Sequence, residues 1–236
     1  MLSARDKGTG AALTNDQVAA QVQSFIVAGY EPTANTLTFT VYCIATHPEV
    51  EKRLVAEVDE VVGRNRIPNE ADLERLPYTE AVLYEAMRLY PPAHITSRLV
   101  QPDAIEIIPH TYASSAREVG GYKIPRGVPV NLPLYAAHHD PRVWPRAEEF
   151  IPERFLPDSP LYPEVCGNNP RAHAPFGFGI RMCIGWKFAI QEAKVAMALM
   201  YQRLRFQLEP GQVPLKTAAA LTLTPDKGVW VRPMMR

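Results

Sequence analysis

Residues 176–185 read Phe176-Gly177-Phe178-Gly179-Ile180-Arg181-Met182-Cys183-Ile184-Gly185, and a helical pattern over residues 184–204 follows at once. Glycines at 177 and 179 let the backbone turn tightly and come close to a flat ligand. The free amides at the start of the next helix carry positive potential, which stabilises a thiolate at Cys183. A lone cysteine is more often a buried, inert side chain. Between a tight turn and a helix start it is instead a candidate anionic sulfur ligand. Upstream, residues 140–181 are rich in Pro and Gly with little periodicity. An irregular segment of that length inside a compact domain is uncommon and usually functional. It leads straight to Cys183.

Working outward, composition excludes more than it assigns. The 236 residues carry 25 Lys and Arg against 25 Asp and Glu, and 47% are apolar. Such a balance suits a globular domain and gives no basic footprint for nucleic acid. The 23 prolines are roughly twice the usual ~5%, so many turns are enforced. Three separated cysteines, Cys43, Cys166 and Cys183, make neither a disulfide framework nor a zinc cluster. No apolar run reaches the ~18 residues of a spanning helix, and residues 1–13 form no signal core, only an expected disordered or frayed start.

The rest reads as mainly α with small β hairpins. Thr14-Asn15-Asp16-Gln17 has the form of a capping box and opens a helix that closes at His47-Pro48. About 30 residues long, or roughly 45 Å at 1.5 Å per residue, it would be an internal spine. Ala28-Gly29 and Pro32 predict a kink, since proline removes an amide donor and crowds the preceding turn. A second amphipathic helix is expected over 48–62, and a third over Pro77–Leu89, stopped by Tyr90-Pro91-Pro92. Between residues 97 and 134 short β-branched runs at 104–108 and 127–132 predict small hairpins, and a last hairpin follows the final helix.

The ten residues around Cys183 resemble the cytochrome P-450 signature Phe-x-x-Gly-x-Arg-x-Cys-x-Gly at every fixed position. The resemblance implies that Cys183 is the axial thiolate, and thus the metal ligand, of a haem cofactor. It also implies that Phe176 packs beside the sulfur, that Gly185 belongs to the haem site and that Arg181 meets a haem propionate. Thiolate pushes electron density onto iron and favours O–O cleavage, which suits oxygen activation. Glu85-Ala86-Met87-Arg88 matches the family's Glu-x-x-Arg, and Pro152-Glu153-Arg154-Phe155 its Pro-Glu-Arg-Phe. By resemblance, Glu85, Arg88 and Arg154 form one structural ion network, whereas an isolated Glu and Arg three apart is usually a surface pair. Arg98, at the family's spacing after Pro91-Pro92, resembles a second propionate contact.

On the oxygen side, Ala28-Gly29-Tyr30-Glu31-Pro32-Thr33 is similar to the family's Ala-Gly-x-acid-Thr-Thr. Glu31 and Thr33 are the candidate catalytic residues. Pro32 stands where a threonine would assist proton delivery, and Thr33 points about 100° further round the helix. Two readings of Pro32 stand: a fixed variant suited to chemistry without that threonine, or a lesion. By position, Phe25, Ala28, Gly29, residues 93–96 and residues 219–221 would line the pocket, and their small or apolar side chains suit a lipophilic substrate. Each is equally explained as core packing. Residues 108–120 resemble an insertion, read as an exposed loop. Lys187 could face an acidic reductase, although a solvated lysine explains it as well.

The resemblance runs from residue 14 to the end and matches only the C-terminal half of the family fold: long kinked central helix, Glu-x-x-Arg helix, meander, Cys-ligand loop and following helix. It implies a partial cytochrome P-450 domain over 14–236, with the membrane anchor of the microsomal members outside this sequence. The implied activity is monooxygenation of a lipophilic small molecule, with electrons from an NADPH-dependent reductase at the cytosolic face of the endoplasmic reticulum membrane. The alternatives are a peroxide isomerase or dehydratase needing no external electrons, and a non-catalytic truncated remnant. A half fold would expose apolar surface along the long helix and the haem pocket, so the fragment alone is expected to bind haem poorly.

Overall fold

The computed structural model describes residues 5, 8–99, 118–125, 127–163, 169 and 171–236. Helix α1 (Asn15–Ala45) begins at the predicted capping box: the Thr14 hydroxyl accepts from the Gln17 amide at 3.2 Å, and the Gln17 side chain accepts from the Thr14 amide at 2.9 Å. Pro32 does not interrupt the helix. Its ring removes one backbone bond while the turns on either side persist, and the Thr36 hydroxyl bonds back to the Pro32 carbonyl at 2.8 Å. The two halves of α1 differ. Phe39, Thr40, Tyr42, Cys43 and Ile44 are buried, whereas Val22, Phe25, Ile26, Val27 and Tyr30 are exposed.

Helix α2 (Pro48–Val61) turns Val50, Leu54, Val55, Val58 and Val61 inward along one stripe. A short α3 (Glu70–Glu74), with its own capping box at Asn69, precedes α4 (Pro77–Leu89). Helix α4 is buried on nearly every face and lacks a capping side chain of its own. Glu57 of α2 does that work instead: its carboxylate accepts from the Tyr78 and Thr79 amides at 2.7 and 2.8 Å and from the Thr79 hydroxyl at 2.7 Å. Helix α6 (Trp186–Arg203) completes the core with Ile190, Ala193, Met197, Ala198 and Tyr201. The core is therefore a packed set of α1, α2, α4 and α6.

The sheets correct one part of the sequence reading. Strand β1 (Thr96–Leu99) pairs antiparallel with β4 (Pro129–Leu132), from Thr96 opposite Leu132 to Leu99 opposite Pro129. The run at 127–132 thus joins a distant strand rather than a local hairpin, because its partner is fixed by tertiary packing and not by a turn. Among the described residues of that region, β2 (Glu118–Val119) and β3 (Tyr122–Lys123) make the tight hairpin expected there, across Gly120 and Gly121. The predicted run at 104–108 and most of the insertion lie outside the described residues. After α6, β5 (Leu204–Leu208) pairs with β8 (Val231–Met235), enclosing the pair β6 (Thr217–Ala219) and β7 (Leu223–Pro225). Of the expected frayed start, Arg5 and Ala12 form an isolated antiparallel bridge. Among the described residues no helix is long and apolar enough to cross a membrane.

Candidate active site

Beneath the irregular segment lies a fully buried ion network. Glu85, Arg88 and Arg154 are each at most 1% exposed, a position charged groups hold only when paired. Arg88 meets Glu85 as a fork, Nε to Oε2 and Nη2 to Oε1, both at 2.8 Å. Its other three N–H groups donate to the carbonyls of His138 (2.9 Å), Ala147 (2.7 Å) and Glu149 (3.0 Å). All five guanidinium donors are used. Glu85 Oε1 also accepts from the Ile151 amide at 2.9 Å and from Arg154 Nε at 3.3 Å, and Arg154 Nη2 reaches the Arg146 carbonyl at 2.8 Å. Burial pushes the Glu85 carboxyl upward while Arg88, the Ile151 amide and Arg154 oppose it. Four N–H groups aimed at its two oxygens leave no acceptor for a carboxyl proton, so the charged form is the one the site is built for. One side chain of α4 thereby pins residues 138, 147 and 149 of an otherwise irregular stretch.

A second link carries that rigidity toward the cysteine. His138 closes the short α5 (Leu134–His138), is fully buried, and accepts the Ala174 amide on Nε2 at 3.1 Å. Accepting there makes Nδ1 the protonated nitrogen of the neutral ring. His173 lies 5.3 Å from it, ring centre to ring centre, within a cluster of Tyr84, Trp144 and Phe155. Desolvation first, and then the Arg88 charge, lower His138 to about 4, while desolvation first, and then His138 and Arg88, push His173 well below the ordinary range. In the unfolded chain both titrate near the ordinary ~6.5. Below that pH the unfolded state binds more protons, so stability falls from about pH 6.5 toward pH 4, by on the order of 3 kcal/mol for His138 alone. We expect the urea midpoint to drop between pH 7 and pH 5, and the drop to shrink in His173→Phe, which keeps the aromatic packing. An unchanged drop in that variant would assign the acid sensitivity elsewhere.

Ala174 begins the cysteine loop. The Gly177 amide donates to the Ala174 carbonyl and the Cys183 amide to the Phe176 carbonyl, both at 2.9 Å. Gly177 and Gly179 adopt φ of +69° and +70°, a region that side-chain-bearing residues avoid. A single 3₁₀ turn, Gly179–Arg181, then delivers Cys183. The thiol is free and exposed. A Cβ added at Gly185 would lie 3.9 Å from the sulfur, in van der Waals contact with it. Phe178, Ile180, Met182, Ile184 and Phe188 are exposed around the loop, as is Arg181. An accessible soft donor amid exposed apolar surface and an exposed guanidinium suits a flat, apolar, anionic group attached through sulfur.

The other predicted residues are scattered. Arg98 turns onto its own strand, with Nη1 donating to the Thr96 hydroxyl and the Ser97 carbonyl at 3.0 Å each. Lys187 stands 5.5 Å over the Trp186 ring. A cavity of about 560 Å³ is lined by Ala28, Ala93, Ile95 and Leu221 of the predicted pocket, by Glu31 and Pro32 of the oxygen-side segment, and by Gln23, Ser24, Val27 and Thr222 besides. Phe25, Gly29, Thr33 and Cys183 do not line it. Glu31 accepts a short hydrogen bond from the Thr222 hydroxyl, which itself accepts from Asn35 Nδ2 at 3.0 Å. The Thr33 hydroxyl has no partner among the described residues. His138, Asn35 and Thr222 were not evident from sequence. Asn35 alone had a signal, being four residues beyond Glu31 on the same helix face.

The chain belongs to the cytochrome P450 family, whose sequence model matches residues 1–231. Members of that family bind haem through a cysteine thiolate. The chain is 36% identical to cytochrome P450 3A41 of Mus musculus over 235 residues, covering 99% of this chain and 43% of that protein. It is likewise 36% identical to thromboxane-A synthase of Rattus norvegicus over 230 residues, 97% of this chain and 40% of that protein. Cytochrome P450 4V2 of Mus musculus matches at 33% over 98% of this chain and 41% of its own length. The chain thus spans less than half the length of these relatives.

Proposed function

We propose that this chain forms the haem-bearing, C-terminal half of a haem-thiolate oxidoreductase that inserts one oxygen atom into a lipophilic small molecule. The observation that carries the proposal is the free, exposed Cys183 thiol on a glycine-turned loop anchored through Ala174 and His138 to the buried Glu85–Arg88–Arg154 network. Cys183 would bind the iron, Phe176 would pack beside the sulfur, Gly185 would leave room there, and Arg181 and Arg98 would meet the propionates. Haem held this way supplies redox chemistry at a site where the thiolate favours O–O cleavage. This chain's residues would hold the sulfur in register, keep apolar walls around the substrate, and present Glu31 as the polar group of the cavity. The electrons would come from an NADPH-dependent reductase at the endoplasmic reticulum, in keeping with the likeness to cytochrome P450 3A41.

One observation favours a second reading. Pro32 lines the cavity where a threonine hydroxyl would serve proton delivery, and the likeness to thromboxane-A synthase is as close as that to cytochrome P450 3A41. A peroxide isomerase needs no proton relay to dioxygen. The test is product formation by the haem-loaded protein with and without NADPH and reductase, in the wild type and in Pro32→Thr. Oxygenase chemistry predicts reductase-dependent product, rising by about a hundredfold in Pro32→Thr, the lower end of the range for a restored proton donor. Turnover of a peroxide without reductase, indifferent to that substitution, would establish the isomerase reading in its place.

A further inference from the structure

The polar groups of the 560 Å³ cavity do not contribute equally. The Ser24 hydroxyl is spent on the Ala20 carbonyl within α1, at 2.8 Å. Thr222 has one proton, and it is directed at Glu31. Glu31 is an acceptor only, with about four lone-pair sites, of which Thr222 fills one. Among the described residues no Lys, Arg or His lies within ion-pair distance of it. Around it stand Val27, Ala28, Pro32, Ile95 and Leu221, which offer nothing polar from their side chains. Beyond Gln23, the cavity has a spare acceptor and no spare donor.

We infer that this cavity selects a lipophilic molecule bearing one hydrogen-bond-donating group, an amine in its ammonium form above all, with Glu31 as the selecting residue and Thr222 as its positioning residue. The inference rests on the reading of the cavity as the substrate pocket. A carboxylate and an ammonium form a charge-assisted bond, stronger than a neutral one, and an apolar wall strengthens it further by lowering the local dielectric. Thr222 matters because a carboxylate on a helix side chain otherwise rotates among several rotamers. Its hydroxyl, fixed in turn by the Asn35 amide, holds one oxygen from across the cavity and leaves the other for a ligand. The same arrangement repels a lipophilic carboxylic acid.

The test is isothermal titration of the full chain with three probes of one size: a naphthylmethyl ammonium, its uncharged ether isostere and the matching carboxylate. The wild type is expected to prefer the ammonium to the ether by about tenfold, the scale of one charge-assisted bond, and to bind the carboxylate least. In Glu31→Gln the preference should vanish with the ether affinity unchanged. Thr222→Val should narrow it, and Thr222→Ser should restore it, which a merely structural role for Thr222 would not produce. Equal binding of ammonium and ether by the wild type, or a preference that survives Glu31→Gln, overturns the inference alone. Binding of none of the probes removes the cavity as a ligand site, and the pocket reading falls with it.

Discussion

Arg88→Lys is expected to destabilise the chain nearly as much as Arg88→Ala, by about 3–5 kcal/mol, which is much of the ~5–15 kcal/mol that holds a domain together. The charge is conserved in the lysine variant, so a purely Coulombic account predicts a mild effect. The geometry predicts otherwise. Arg88 uses five donors in a rigid plane, two on Glu85 and three on the carbonyls of His138, Ala147 and Glu149. An ammonium has three donors and no fork. At least two of those acceptors would remain buried without a partner, at ~1–3 kcal/mol each. The helix itself is not at risk locally, because the backbone ladder of α4 does not involve these side chains. What loosens is the stretch from residue 138 to residue 154, and with it the support of Ala174 and the cysteine loop. Urea denaturation followed by tryptophan fluorescence suits the measurement, since Trp144 is fully buried and lies 5.2 Å from the Arg88 guanidinium. A shift below about 1 kcal/mol in Arg88→Lys would mean that the pair behaves as an exposed ion pair and that the network does not lock the fold.

The residues that could be read from sequence and those that could not differ by the kind of force involved. Glu85 and Arg88 sit three apart on one helix, and their neighbours Val82, Leu83 and Leu89 mark the face as internal, so the pair was legible as a unit. Its acceptors were not, because a backbone carbonyl at Ala147 or Glu149 carries no side-chain signal. The capping box at Thr14 and Gln17 was legible for the same local reason. The cap of α4 by Glu57 was not, since it crosses from another helix. Long-range pairing hid the partner of β4 in the same way. At the site, the turn glycines and Cys183 form a contiguous phrase, and the sequence placed them together. Glu31 and Thr33 were grouped by adjacency, yet the helix carries them to different faces, so that Glu31 lines the cavity and Thr33 does not. The hydroxyl that does meet Glu31 comes from Thr222, 191 positions away, where no local pattern could have announced it.

Cys183→Ser, by contrast, should leave the fold intact and abolish the haem signature. The side chain is exposed and makes no packing contact with the core, and a conservative surface substitution stays within about ±0.5 kcal/mol. The urea midpoint is therefore expected to be unchanged. Binding is another matter, because a serine hydroxyl is a hard, neutral donor that does not replace a soft thiolate at iron. The chain supplies its own control in Cys43. That thiol is buried in α1 between core residues, and burial pushes its pKa far above the ordinary thiol range. It stays protonated and cannot act as a ligand without unfolding. Cys43→Ser should therefore do the reverse, lowering stability by about 1–3 kcal/mol through a buried hydroxyl while sparing the spectrum. Two readouts, taken on the chain completed by the N-terminal half of the family fold so that haem is held, separate the cases: the carbon monoxide difference spectrum of the reduced, haem-loaded protein, and alkylation of thiols before and after haem is added. Cys183 should be modified readily in the free chain and protected once haem is bound, and the thiolate-type band should disappear only in Cys183→Ser. Retention of that band in Cys183→Ser, or alkylation of Cys183 indifferent to haem, would take the ligand role from this residue. The Glu85–Arg88–Arg154 network would then stand as architecture for a loop whose function is not metal binding.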